Sequence, residues 1–473
     1  MIATVSALVL SAGFVVQATG GHLVAGGPDR HFASVSIDSR ALPPESLFVA
    51  LAGPSFDGHC FVPDVLARGA AVLVSEAWLV SNPSYLSYPS YLIVSVPDPL
   101  GALQKLGHAV RVQSGARVVA ITGSAGKTTT KEIAADFLAA RYRVFRNAGN
   151  LNNHIGLPLS LLELRHGAEI GVVELGMNHP GEIRALVRLA EPDVRLWTNV
   201  GDAHIGHFQT QRAIAGAKAE ILEAAGPRTL LVANADDPLV MAHAARFTGR
   251  RLTFGEAPGA DVRAHDVIDR GFDGTSCRVT TPAGPLALEL SLAGRVQLSN
   301  VLAATAVAIE FDVPLEEVRE RAIELHAVNR RGALASLSSG ARLVDDSYNA
   351  SPAAMKAMLA ALHDTAVRGR RIAVLGEMLE LGDASHALHE QCGDAAAAAG
   401  VDELVVVGGP AADGFAAGAL ARGMATSRIH RFASSDQAAA VVLDLVRGGD
   451  LVLVKGSRGT RTDLVADRLK AGV

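Results

Sequence analysis

The segment Val119-Ala-Ile-Thr-Gly-Ser-Ala-Gly-Lys-Thr-Thr-Thr-Lys-Glu132 restricts the possible folds more than any other stretch of the chain. Val118–Thr122 reads as a buried strand, and a helical pattern runs from about Lys127 to Ala140. A strand that enters a helix through a glycine turn aims backbone N–H groups and the positive helix end at one point, which makes an anion site. Lys127 would add a point charge to the β- and γ-phosphates of a nucleotide, and the Thr128 hydroxyl a Mg2+ ligand. Gly123, Ser124, Ala125, Gly126 and Thr129 complete the expected cradle. The usual Walker sequence has an earlier glycine where Ile121 stands, so this is a shortened phosphate loop.

The surroundings suit such a loop. Apolar runs recur at Ile170–Leu175, Arg195–Val200 and Thr229–Ala233 with helical patterns between them, the signature of a parallel sheet with crossover helices. A second such series follows from Ala341, with strands expected at Arg342–Asp345, Arg371–Leu375, Glu403–Val407 and Leu451–Val454. Before Gln113 the texture differs: short apolar runs such as Ser46–Leu51 and Ala70–Val74 alternate with glycine and proline, and Asn82–Pro99 reads as loop-rich. The reading is α/β with three domains, at residues 1–113, 114–328 and 329–473.

Composition excludes several classes. Hydrophobic residues make up 49% and charged residues 19% of 473, enough apolar surface to rule out global disorder. With 43 Lys+Arg against 48 Asp+Glu, the net charge of −5 leaves no footprint for nucleic acid. Cys60, Cys277 and Cys392 lie far apart, which supports neither a disulfide scaffold nor a zinc cluster. Ile2–Ala18 lacks the basic flank of an export signal and is too short and interrupted to span a bilayer, so it reads as a buried helix or strand. No membrane insertion and a cytoplasmic location are expected.

A bound nucleotide needs metal ligands. Glu174 ends an apolar strand in Val172-Val-Glu-Leu-Gly-Met-Asn-His-Pro-Gly-Glu-Ile183, at the strand end where parallel sheets place ligands. His204 follows the next strand in Thr198-Asn-Val-Gly-Asp-Ala-His-Ile-Gly-His-Phe208. Alone it reads as structural or exposed; beside a phosphate loop it reads as a ligand. His179 and His207 stay unassigned.

The combination resembles the Mur ligase family of bacterial cell-wall synthesis over nearly the whole chain. The resemblance is carried by Thr122–Glu132, Asn147-Ala-Gly-Asn-Leu-Asn-Asn-His-Ile-Gly-Leu-Pro158, Glu174–Ile183 and Asn199–Phe208. Asp345-Asp-Ser-Tyr-Asn-Ala-Ser-Pro352, Val374-Leu-Gly-Glu-Met-Leu-Glu-Leu-Gly382 and Val454-Lys-Gly-Ser-Arg-Gly459 point to the member that joins D-alanyl-D-alanine to UDP-N-acetylmuramoyl-tripeptide. It implies a small mixed α/β N-terminal domain for the UDP-sugar and a central P-loop ATPase-like parallel-sheet domain for ATP. A C-terminal Rossmann-like domain would deliver the amine. ATP, Mg2+ (two ions) and a monomer are implied.

Residue by residue, the resemblance assigns Ser39 and Arg40 to the nucleotide sugar, with Asp57-Gly-His59 matching less specifically. Asn147, Asn150, Asn152 and Asn153 would contact substrate, although on residue type alone they make an ordinary polar turn. Asn300 would lie near adenine, Asp346 would accept from the ribose, and Arg331 would reach the nucleotide from the hinge. Lys218 sits where relatives carry a carbamylated lysine able to help hold a second Mg2+, against the default of a solvated helical lysine. Asn349 is assigned to substrate, and Glu377–Gly382 with Lys455 and Ser457 to the dipeptide pocket. The implied chemistry is phosphorylation of a carboxylate by ATP, then attack of the amine on the acyl phosphate. Lys127, Glu174, His204 and Lys218 carry it. Two departures stand out: Val296 where histidine is usual, and Arg330-Arg331 where Gly-Arg is usual. Folylpolyglutamate synthetase and a P-loop ATPase without ligation are the rival readings.

Overall fold

The computed structural model describes residues 7–43, 45–87, 90–203, 205–292 and 294–472. The chain divides into two compact units. The first comprises Met1–Ile121, Arg141–Arg195 and Glu223–Thr229, and the second Thr122–Ala140, Leu196–Leu222 and Leu230–Val473.

In the first unit, β1 (His22–Ala25), β2 (Ser34–Ser36), β3 (Ser46–Val49), β6 (Ala71–Ser75) and β7 (Ile93–Val96) form a sheet in the order β1-β7-β6-β3-β2. The short pair β4 (Ala52–Gly53) and β5 (Phe56–Asp57) stands apart from it. Only β1 runs antiparallel to its neighbour. Phe48, Val72, Val74 and Ile93 pack on Val62, Val65 and Leu66, and β3 and β7 are buried at every residue. That explains why these strands read as continuous apolar runs rather than alternating ones. It also corrects the loop-rich reading of 82–99: four residues among its prolines form a central strand. Of Ile2–Ala18, residues 12–18 belong to the helix Ala12–Thr19, capped by Ser11 and closed by Gly20 at φ +73°.

The helix Pro99–Ser114 leads into β8 (Arg117–Thr122). Asp98 accepts from the N–H groups of Leu100 and Gly101, and Pro99 fills the first position, where its missing N–H costs nothing. Then β9 (Val144–Arg146) and β10 (Ile170–Glu174) follow, with β10 parallel to both β8 and β9. β11 (Val194–Trp197) spans the boundary between units.

The second unit contains the helix Lys127–Leu138 and the parallel strands β12 (Leu230–Asn234), β13 (Arg250–Gly255) and β14 (Val262–Asp269). The expected parallel series then changes character: β15 (Thr275–Thr281) and β16 (Gly284–Leu290) are antiparallel. Their alternation is visible in burial, with Cys277, Val279, Leu286, Leu288 and Leu290 inward and the residues between them more exposed.

A second sheet follows with β17 (Ala333–Ser336), β18 (Arg342–Asp346), β19 (Arg371–Gly376), β20 (Glu403–Val407), β21 (Ile429–Phe432) and β22 (Leu451–Lys455). Its order is β17-β18-β22-β19-β20-β21, parallel except for β17. Ala373, Leu375, Leu404, Val406 and Leu453 enter one core, while Ile372, Val374, Val405, Val407 and Val454 enter another. Successive residues point to opposite faces, and both faces are dry.

No helix among the described residues is long and apolar enough to cross a membrane. Cys277 and Cys392 are buried, and burial pushes their thiols up to about 11 and about 12; Cys60 is exposed.

Candidate active site

The phosphate loop needs glycine twice. Gly123 and Gly126 have φ +152° and +80°. A Cβ on the first would overlap the Thr198 hydroxyl, and one on the second the Asn300 amide oxygen. The helix that starts at Lys127 has no side-chain cap and no acid in its first turn. Its partial positive charge favours an anion at that end.

The apex of the loop is held from outside. Asn199 Oδ1 accepts from Ala125 N–H at 2.9 Å, and its Nδ2 donates to Ala125 O at 3.2 Å. The Thr198 hydroxyl donates to the same carbonyl at 2.7 Å, and Ser124 N–H to Asn199 O at 3.0 Å. Asn300, buried, accepts from the Thr130 hydroxyl at 3.1 Å and donates to Gln297 Oε1 at 3.0 Å. Lys127 Nζ and Lys218 Nζ both donate to Gly123 O, at 2.8 and 3.0 Å. Lys218 is 2% exposed, so the solvated helical lysine is corrected to a buried one. Both ammonium-bearing side chains thus reach the same carbonyl, from the loop's own helix and from the helix Gln211–Lys218.

Glu174 lies in the first unit, 4% exposed at the carboxyl end of β10. Asn152 donates to its Oε1 at 2.7 Å, while Asn147 Oδ1 accepts from its backbone N–H at 3.1 Å. Asn147 is buried and also donates to Leu151 O. Asn153 Oδ1 caps the helix Gly156–Leu162 through the N–H groups of Ile155 and Gly156, and Asn150 is exposed. The four asparagines thus divide: one holds the Glu174 carboxylate and one its backbone, one starts a helix and one faces solvent. His204 lies outside the described residues. Of the other proposed metal donors, the Thr128 hydroxyl and the Glu174 carboxylate are hard oxygen ligands of the kind Mg2+ takes.

At the N-terminal sheet, Ser39 is buried and its carbonyl accepts from Arg68. Arg40 is exposed and chelated by Asp38 at 2.8 and 2.9 Å, which holds the Asp38 carboxyl down at about 2.

A second cluster forms at the carboxyl ends of β18, β19 and β22. Lys455, 2% exposed, donates to Asp346 Oδ2 at 2.6 Å and to Asn349 O at 2.9 Å. Burial pushes the Asp346 carboxyl up, and Lys455 and Arg331 oppose it. The Arg331 guanidinium lies 4.1 Å from the centre of the Tyr348 ring, where a cation is attracted to the π face. Asn349 is exposed. Glu377 Oε2 accepts from Gly409 N–H at 2.7 Å, and Ser457 Oγ from Leu379 N–H at 3.0 Å. Glu377, Leu379, Gly408, Ser434 and Arg461 line a cleft of about 380 Å³.

The structure gathers the loop, Lys218 and Asn300 into one cluster, and Arg331, Asp346, Asn349 and Lys455 into another. Sequence reasoning missed Asn199, Tyr348 and His389. The first two lie inside segments already singled out; nothing in the spacing marked the third.

Comparison with known proteins agrees with this geometry. Three family models match: Mur ligase family, catalytic domain, over residues 31–111; Mur ligase middle domain over 121–308; and Mur ligase, glutamate ligase domain, over 330–458. The UDP-N-acetylmuramoyl-tripeptide–D-alanyl-D-alanine ligase of Bacillus subtilis is 32% identical, covering 92% of each chain. That of Escherichia coli is 37% identical, covering 81% of this chain and 82% of the relative. Among solved structures, MurF from Acinetobacter baumannii superposes with a TM-score of 0.86 at 30% identity over 98% of this chain and all of the other. MurF from Thermotoga maritima in complex with ADP gives 0.80 at 30% identity, covering 93% of this chain and 97% of the other. The three-domain α/β architecture expected from the sequence is the one these structures have. With a phosphate loop of this form and matches of this extent, the chain belongs to the Mur ligase family.

Proposed function

We infer that this protein is an ATP-dependent ligase that joins D-alanyl-D-alanine to UDP-N-acetylmuramoyl-tripeptide, giving the pentapeptide precursor of peptidoglycan, ADP and phosphate. The observation that carries the reading is the convergence of Lys127 and Lys218 on Gly123 O beneath an uncapped helix start. Relatives whose names print this reaction match over most of their length.

A carboxylate is a poor electrophile. Transfer of the γ-phosphoryl of ATP to the tripeptide carboxylate breaks the β,γ-bridging P–O bond and forms an acyl phosphate. Two anions must approach, so the positive charge of Lys127 and of the helix start is needed where charge accumulates. Mg2+, in two sites held by Thr128, Glu174, His204 and Lys218, would supply further charge neutralisation when bound. Lys218 would serve there as its carbamate. The dipeptide amine then attacks the acyl carbonyl, loses a proton, and phosphate leaves as the C–N bond forms.

The remaining roles follow the same reading. Residues 1–113 hold the UDP end through Ser39 and Arg40, residues 114–328 bind ATP, and residues 329–473 present the amine. Asn300, Arg331 and Asp346 hold the nucleoside, with Gly123, Ser124, Ala125, Gly126 and Thr129 around its phosphates. Asn147 and Asn152 act by holding Glu174, while Asn150, Asn153 and Asn349 contact substrate. Glu377, Lys455 and Ser457 shape the dipeptide pocket; Glu377 at the cleft suits an ammonium. The protein works as a cytoplasmic monomer. Phosphate release should depend strictly on both UDP-tripeptide and D-alanyl-D-alanine. Release indifferent to both would make the protein an ATPase and end the ligase reading.

A further inference from the structure

The loop that leaves β19 is fixed at four consecutive residues. Glu377 N–H donates to Val407 O at 2.8 Å, Met378 N–H to Nε2 of buried His389 at 2.8 Å, and Leu379 N–H to Ser457 Oγ at 3.0 Å. The carbonyl of Glu380 accepts from Gly206 N–H at 3.0 Å. Three of these pins come from residues that follow in the same sheet and its helices. The fourth does not: Gly206 lies in the short turn Ile205–Phe208, directly after His204 in sequence.

The contact is glycine on glycine. A Cβ on Gly206 would lie 2.8 Å from both Glu380 O and Gly382 N, and one on Gly382 would lie 3.0 Å from Gly206 Cα. Beside it, Ile205 packs against the apolar cluster that includes Met378 and Leu381. Glu380 has φ +64°, a left-handed conformation that is strained for a non-glycine residue and persists only when its surroundings hold it. Backbone therefore meets backbone here, with no side chain able to give way.

We propose that Gly206 is a positioning residue for amide-bond formation: its contact with Glu380 and Gly382 sets the spacing between the turn after His204 and the loop that begins at Glu377. The proposal rests on the reading that this loop serves the dipeptide. Of the residues assigned to phosphoryl transfer, the loop 123–128, Glu174 and Lys218 are not partners in this contact, and only His204 stands near Gly206 in sequence. Amine attack needs the two sides in register, and a misplacement of about 1 Å costs on the order of a hundredfold.

Gly206→Ala tests it. Amide formation should fall at least about tenfold, whereas scrambling of the β,γ-bridging oxygen label in ATP, which reports reversible acyl-phosphate formation, should stay within about twofold. Gly216→Ala, on the helix Gln211–Lys218 with open space at its Cβ, is the control and should leave both rates unchanged. If Gly206→Ala melts early, Gly382→Ala brings a methyl group to the same contact from the other side and must give the same split. Normal amide formation in Gly206→Ala, or equal loss of both half-reactions, overturns the proposal. Absence of product from the unaltered protein would instead overturn the substrate reading.

Discussion

The phosphate loop and the Glu377–Gly382 loop both follow the carboxyl end of a strand, β8 in one case and β19 in the other, yet they are held in different ways. The phosphate loop is shaped by its own glycines, by the Thr198 and Asn300 side chains that fill the space they leave, and by Asn199, which holds Ala125. The loop after β19 is gripped through its main chain by partners scattered from Gly206 to Ser457. Both loops have outside partners, but only the first depends on glycines of its own that leave room for those partners' side chains.

The largest effect should come from Lys127→Ala, which removes the charge at the helix start. Amide-forming turnover should drop by about 10³-fold or more while binding of UDP-tripeptide stays intact. Retained turnover would remove the phosphate loop from the chemistry. Next in size is Lys218. Protein incubated with 13C-bicarbonate should show a carbamate carbon resonance that is missing from Lys218→Ala. A silent spectrum in active protein means that the amine acts unmodified.

Asn199→Ala cuts both hydrogen bonds to Ala125 and should weaken ATP binding by about 1–2 kcal/mol, roughly tenfold, with the KM for the dipeptide unchanged. Equal changes in both constants would erase the distinction between the two loops.

His389 sharpens the other side. Its Nε2 accepts from Met378 N–H, so Nδ1 carries the proton and donates to Ser385 O at 2.6 Å, and the ring is fully buried against Phe415. Burial lowers its pKa from 6.5. The unfolded chain then takes up a proton that the folded one refuses, so stability should fall as pH drops below 6.5. His389→Ala should lose about 2 kcal/mol and flatten that part of the pH–stability curve. A variant with the same slope would show that another group titrates there.

The smallest effect is expected at Arg330→Gly. Arg330 takes φ +59°, a conformation that suits glycine, and pairs with Asp463 and Asp467 at 2.7 and 2.8 Å. Relief of backbone strain and loss of partly exposed ion pairs should nearly cancel, within about 1 kcal/mol. The readout is salt: melting of the parent should respond to ionic strength more than melting of the variant.

These differences track what a linear reading can see. The run from Thr122 to Lys127 carries its glycines at the positions the turn needs, so strand, turn and helix were all legible. The antiparallel pair β15–β16 alternates with a period of two, a signal that was present but unread inside a parallel series. β7 was hidden by flanking prolines, although four buried residues, three of them apolar, suffice for a central strand. His389 was illegible for another reason: a histidine in an alanine-rich helix acquires meaning only once Met378 is folded against it. The same holds for Gly206, whose partners lie far along the chain.

The three thiols have a practical consequence. Two are shut inside and stay protonated far above neutral pH, whereas Cys60 stands open on the N-terminal sheet's side of the chain. A maleimide dye added to the native protein should therefore label one position, with no engineered background required. That gives a ready fluorescent reporter on the part of the molecule assigned to the sugar nucleotide.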